Sequence, residues 1–141
     1  EPINGWETAE LGKEDMGRED DVELAYGEVE LLSFWAMLEQ AVAPKAGETF
    51  VDLGSGTGRA VVAAALGFPK LRRCIGYEVV PRLHDAAQRV VSGITATGCE
   101  AAPMKLIDAN FGERAWEEGA DIVWVSSLCM AAETMAAIQQ R

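Results

Sequence analysis

The chain has 141 residues, 49% of them hydrophobic and 25% charged. That is an ordinary globular mixture, which excludes whole-chain disorder and suits one domain with a sizeable core. The net charge of −11 is the wrong sign for a naked nucleic-acid binder, and no apolar run approaches the ~20 residues of a membrane span, so an intracellular soluble protein is expected.

The acidity is concentrated at one end. Residues 1–30 carry eleven acids against Lys13 and Arg18, while residues 31–141 carry twelve acids and ten bases. Pro2, Gly5, Gly12 and Gly17 lie among those acids. Residues 1–20 therefore read as a flexible, solvated lead-in that is dispensable for ligand binding, with the folded unit over 21–141.

From Gly27 to Val42 apolar residues recur at helical spacing, which predicts an amphipathic helix ended by Pro44 and Gly47. Thr49–Leu53 reads as a short buried strand, residues 54–58 as a glycine-dense turn, and Arg59–Leu66 as a helix stopped by Gly67 and Pro69. A second strand is predicted over Cys74–Glu78. Pro81 then opens a helix to about Thr97. Met104–Asp108 is a third strand, Glu113–Glu118 one or two helical turns, Asp121–Ser126 a fourth strand and Met130–Arg141 a final helix.

Strand–helix alternation of this kind gives an α/β, Rossmann-like fold with a mostly parallel sheet and helices on both faces. Ligands then sit beyond the carboxyl ends of the strands, at the point where the strand order reverses. Loops 54–58, 78–80, 108–111 and 126–130 are thereby singled out.

Cys74, Cys99 and Cys129 form no CxxC pair, and His84 is the single histidine. No metal site or disulfide framework is expected, and a histidine-based hydrolase triad is disfavoured. Cys129 reads as a core thiol.

The strongest motif is Asp52-Leu53-Gly54-Ser55-Gly56-Thr57-Gly58. Alternating glycines after a strand let the backbone approach a ligand closely. The nicotinamide fingerprint fails because position 59 is Arg, and no Gly-Lys-Ser/Thr follows for a phosphate loop. The D-x-G-x-G-x-G pattern suits S-adenosylmethionine instead. Glu78 ends the second strand 20 residues after Gly58, where a carboxylate can accept both ribose hydroxyls. Asp108 and Phe111 follow the third strand, as candidates for the adenine amino group and ring.

This organisation resembles class I methyltransferases. Ala25-Tyr26-Gly27-Glu28 before a helix, followed by Phe50–Gly58, is similar to the disruptor-of-telomeric-silencing (non-SET) family of histone-lysine methyltransferases. Val125–Met130 resembles that family's substrate-side motif, and the likeness runs from about residue 24 to the C-terminus. The resemblance implies Tyr26 and Glu28 in a loop closing over the cofactor. It places Asp52, Gly54 and Gly56 at the methionine moiety, with Gly58 of the same turn also cofactor-binding, Glu78 at the ribose, and Asn110-Phe111 at the adenine with Asp108 as alternative. Ser126 falls where the family has the Asn of its lysine channel, and Arg59 where a Gln is common. Tyr26 and Ser126 are thereby the candidate catalytic pair.

A histone or nucleosome partner and a nuclear location are implied. The family's basic DNA-contacting stretch is absent, and so is any membrane segment. The usual sheet has seven strands, so the rest of the domain is expected beyond Arg141. Two other readings fit the motif: a class I methyltransferase with a non-histone protein or small-molecule acceptor, and a non-catalytic cofactor-binding module.

Overall fold

The computed structural model describes residues 3–127 and 130–141. Four strands, β1 (Thr49–Leu53), β2 (Arg73–Glu78), β3 (Met104–Asp108) and β4 (Ile122–Val125), form one sheet in the order β3-β2-β1-β4. All three pairings are parallel. The chain steps outward from β1 to β3 and then returns to the other side of β1. The order therefore reverses between β1 and β4.

The central strands earn their place by composition. Every residue of β1 is buried, and so is all of β2 except Arg73. Side-chain alternation splits their apolar groups between two cores. On one face Phe50 and Cys74 pack with Phe34, Leu38 and the alanine-rich helix α3 (Arg59–Gly67). On the other, Val51, Leu53, Ile75 and Tyr77 surround Trp116, with Ile138 packed against them. Ile138 belongs to helix α5 (Ala132–Gln139), so helices cover both faces as the alternation predicts. Helix α4 (Pro81–Ala96) starts with Pro at its first position and packs along β2 and β3.

Two predicted segments differ. Residues 5–15, read as loop, form helix α1 (Gly5–Asp15), capped by Asn4, whose side chain accepts the Glu7 N–H. Gly5, Ala9 and Gly12 are buried on one side of α1. A Cβ at Gly12 would overlap Val80 and one at Gly5 would overlap Tyr26. The helix thus docks through small residues rather than large apolar ones, and a periodicity of bulky side chains cannot reveal it. Asp15 pairs with Arg82 of α4.

The second difference lies in residues 27–42, expected as one helix. Residues 25–30 form an extended strap. Helix α2 (Leu31–Met37) starts where both Glu30 carboxylate oxygens accept the N–H groups of Leu32 and Ser33, at 3.1 and 2.7 Å. It continues as a π-helical turn, Leu38–Val42, that ends at Ala43 with φ of 51°. The predicted turns over 113–118 reduce to a short 3-10 turn, Phe111–Glu113.

Candidate active site

The glycine turn that leaves β1 is tied to the neighbouring strand. Gly54 and Ser55 both donate to the Tyr77 carbonyl at 2.9 Å, which ties the turn to the end of β2. Gly54 and Gly56 take φ of 84° and 53°, a region that disfavours side chains. A Cβ on Gly56 would come within 2.8 Å of the Tyr26 ring. The strap lies that close only because residue 56 has no side chain.

Glu78 is buried at the carboxyl end of β2. One carboxylate oxygen accepts the Gly56 N–H at 2.7 Å; the other accepts those of Val79 and Val80 at 2.9 and 2.8 Å. The side chain thus joins the glycine turn to the β2–α4 loop. Burial raises its pKa, against the lowering effect of the three N–H donors. Asp52 is also buried, and burial with the neighbouring Glu78 charge pushes its pKa up to about 8. Two adjacent carboxyl groups in a poorly solvated site disfavour double ionisation.

Tyr26 of the strap donates its hydroxyl to Glu28 Oε1 at 2.7 Å and sits 2.9 Å from Thr57 Oγ1. Its pKa rises to about 12, chiefly through burial. Trp6 of α1 meets the Tyr26 ring edge-on, with centroids 5.5 Å apart.

These groups enclose a cavity of about 570 Å³ at the carboxyl ends of the strands. Gly54, Gly56, Tyr26, Glu78, Asn110, Phe111 and Ser126 all line it. Asn110 also caps the following turn by accepting the Gly112 N–H at 2.9 Å. A smaller recess of about 30 Å³ alongside is lined by Asp52, Glu28 and Arg59, with Tyr26 and Ser126 on its wall as well.

Two expected cofactor residues fall outside both cavities. Gly58 faces Ala87 of α4, and an added Cβ there would lie 3.2 Å from the Ala87 Cβ. The start of α3 packs closely on α4 there. Asp108 is in register with Glu78 but sits exposed on the outer strand β3, one strand further from the reversal point. Asn110, not Asp108, is the polar side chain that reaches the cavity from this loop. Leu128 and Cys129, in the expected substrate-side motif and core, lie outside the described residues.

Several lining residues carry no motif. Trp6 and Arg18 bring the N-terminal region, expected as a lead-in dispensable for ligand binding, into the wall of the cavity. Trp116 and Ile138 close the far side. Glu23 Oε1 accepts the Ala131 N–H and the Thr134 hydroxyl, both at 2.8 Å, and so serves as the missing cap of α5. The Asn4–Glu7 capping pair is the one local signal that could have exposed α1.

Among the described residues, no cluster of His, Cys, Asp and Glu could hold a metal ion, and no helix is long and apolar enough to cross a membrane.

Solved structures with the same fold include a SAM-dependent methyltransferase from Thiobacillus denitrificans in complex with S-adenosyl-L-homocysteine. It is 20% identical, with a TM-score of 0.58 over 86% of this chain and 49% of that one. An RNA methyltransferase from Salinibacter ruber, also with S-adenosyl-L-homocysteine, is 20% identical, with a TM-score of 0.53 over 70% and 60% of the two chains. Magnesium protoporphyrin IX methyltransferase from Synechocystis PCC 6803, with the same ligand bound, is 13% identical, with a TM-score of 0.61 over 92% and 62%.

This chain spans about half the length of the first of these. At such identities the likeness is one of fold: the class I, Rossmann-like methyltransferase sheet. A search of curated proteins found no match. The family model described as histone methylation protein DOT1 matches residues 20–140, nearly the whole chain. The chain belongs to the DOT1 histone methylation family.

Proposed function

We propose that this chain binds S-adenosylmethionine at the carboxyl end of its sheet and serves methyl transfer to a lysine side chain of a histone. The observation that carries the reading is the convergence of the glycine turn, buried Glu78 and the Tyr26 strap on one cavity, in a chain of the DOT1 family. When bound, the cofactor supplies an electrophilic methyl group on a sulfonium.

The residues present fit it. Gly54 and Gly56 leave their backbone open to close approach. Glu78 Oε2 accepts one N–H and keeps acceptor capacity for a ribose hydroxyl, while Oε1 already accepts two. Phe111, Leu83 and Val80 offer apolar surface, and Asn110 a polar group, to a purine. Asp52 is a buried carboxyl beside the turn, suited to facing a cationic group.

We assign Tyr26 and Ser126 to the acceptor side; with Gly27 and Gly54 they border both the large cavity and the small recess. Trp6, Tyr26 and Trp116 give the cavity aromatic walls. Such walls favour the neutral amine of an entering lysine, whose proton leaves to solvent before transfer. No histidine lines the cavity among the described residues, so alignment and desolvation carry the rate. The histone partner and a nuclear site of action rest on the family alone.

The test is incubation of the full protein with radiolabelled S-adenosylmethionine and nucleosomes, free histones or small amines in parallel. Label on a histone lysine, lost in Tyr26→Ala and raised in Ser126→Asn, supports the reading. Label on small amines alone supports a small-molecule acceptor. Binding without transfer to any acceptor supports a non-catalytic module.

A further inference from the structure

Arg59 is the first residue of α3, directly after the glycine turn. Its Nη2 lies 3.0 Å from Glu28 Oε2, and its Nη1 donates to the Val29 carbonyl at 3.4 Å. Two residues earlier, Thr57 meets the Tyr26 hydroxyl, which in turn donates to the other Glu28 oxygen. Thr57 and Arg59 of the turn thus hold Tyr26 and Glu28 of the strap, in one connected run of four side chains. Both Glu28 carboxylate oxygens are engaged.

Beyond this run the strap is held by apolar packing, with Val29 against the main core and the Tyr26 ring against Trp6. Residues 25–30 are extended and belong to neither the sheet nor a helix. Only part of the Tyr26 ring is buried, against Gly56 and the cluster of Ala9, Val80 and Leu83. The planar guanidinium suits this task, because its fork reaches a carboxylate and the next residue's carbonyl together. An ammonium is a single point charge and an amide carries no charge.

We infer that Arg59 is a positioning residue. It clamps the strap over the glycine turn through Glu28, and so sets how fast the strap opens to exchange an S-adenosyl ligand. The inference rests on the proposed cofactor site. The pair is partly exposed, so its effect is modest and salt-sensitive.

The test uses the full chain carrying Arg59→Gln, Glu28→Gln, both together, or Arg59→Lys. Release of S-adenosylhomocysteine is followed by stopped flow, and exchange of the strap amides by mass spectrometry on ligand-free protein. Each single change to Gln should speed release by about 2–5-fold. The double change should be no faster than either, and Arg59→Lys should recover part of the effect. Added salt should speed release from the wild type but not from Arg59→Gln. Strap amides 25–30 should exchange faster in Arg59→Gln while those of β1 do not change.

Release and strap exchange equal to wild type, or strictly additive single changes, overturn the inference. If Arg59→Gln fails to fold, Glu28→Gln reads the same pair from the strap side. A wild-type chain that binds no S-adenosylhomocysteine counts against the cofactor reading, and the amide exchange, which needs no ligand, then decides the clamp.

Discussion

The two walls of the cavity are built in different ways. The sheet wall, with the glycine turn and Glu78, is buried and cross-tied by backbone hydrogen bonds. The opposite wall, made of α1 and the strap, is acidic and largely exposed, and is held by the small-residue face of α1 and by the side-chain pairs Asp15–Arg82, Tyr26–Thr57 and Glu28–Arg59. A buried backbone-tied wall loses much when one atom is added or removed. A wall held by surface pairs loses little per change, and can move. The first wall suits recognition and the second suits access.

The sharpest way to break this contrast is at Gly56. Gly56→Val puts a side chain at φ of 53° and against the Tyr26 ring. Strain of roughly 1–3 kcal/mol and displacement of the strap should together abolish S-adenosylhomocysteine binding. Calorimetry on a folded variant that still binds as the wild type does would remove the glycine turn from the account.

Glu78→Ala comes next. It orphans the N–H groups of Gly56, Val79 and Val80 in a buried place. Urea denaturation should show a loss of roughly 2–4 kcal/mol even without ligand. No loss would mean that burial of the carboxylate already cancels its hydrogen bonds.

On the other wall, Gly12→Val drives a side chain into Val80 and pushes α1 away from α4. Overpacking of this kind costs about 1–3 kcal/mol. Because α1 is held mainly by this face and one surface pair, the loss should appear as undocking of α1, with protection in β1 and β2 retained. Hydrogen exchange that shows uniform loss through the sheet would merge the two walls into one cooperative unit.

The last way to separate the walls is by pH. Folded Asp52 keeps its proton to about pH 8, whereas its ordinary value is 3.8. Between these limits the folded state holds more protons than the unfolded one. Stability should therefore fall as pH rises, by up to ~1.4 kcal/mol per pH unit. Glu78, raised by burial, adds to the same slope. Asp52→Asn should flatten it between pH 5 and 8 in urea titrations, while changes on the α1 wall should not. A wild-type slope of zero would contradict the burial of this pair.

The same contrast explains what the sequence made legible. Strands buried on both faces appear as apolar runs, and the glycine turn and Glu78 announce themselves by spacing. Register and burial direction do not show in that way: spacing alone does not reveal that Gly58 packs on Ala87 or that Asp108 faces solvent. Helix α1 was hidden because its docking face is Gly5, Ala9 and Gly12 within a strongly acidic stretch. The start of α2 was misplaced because Val29 continues the helical spacing of Leu31 and Leu32 into the extended strap. Trp116 and Glu23 reach the site through long-range packing that no local pattern encodes.

The central claim is that the two walls close on one S-adenosyl ligand. Calorimetric titration of S-adenosylhomocysteine into the full chain, beside the Gly56→Val and Glu78→Ala variants, tests it directly. The account predicts one site per chain in the wild type, no measurable binding in Gly56→Val and weakened binding in Glu78→Ala. Absence of binding in the wild type, or equal affinity in all three proteins, would contradict it.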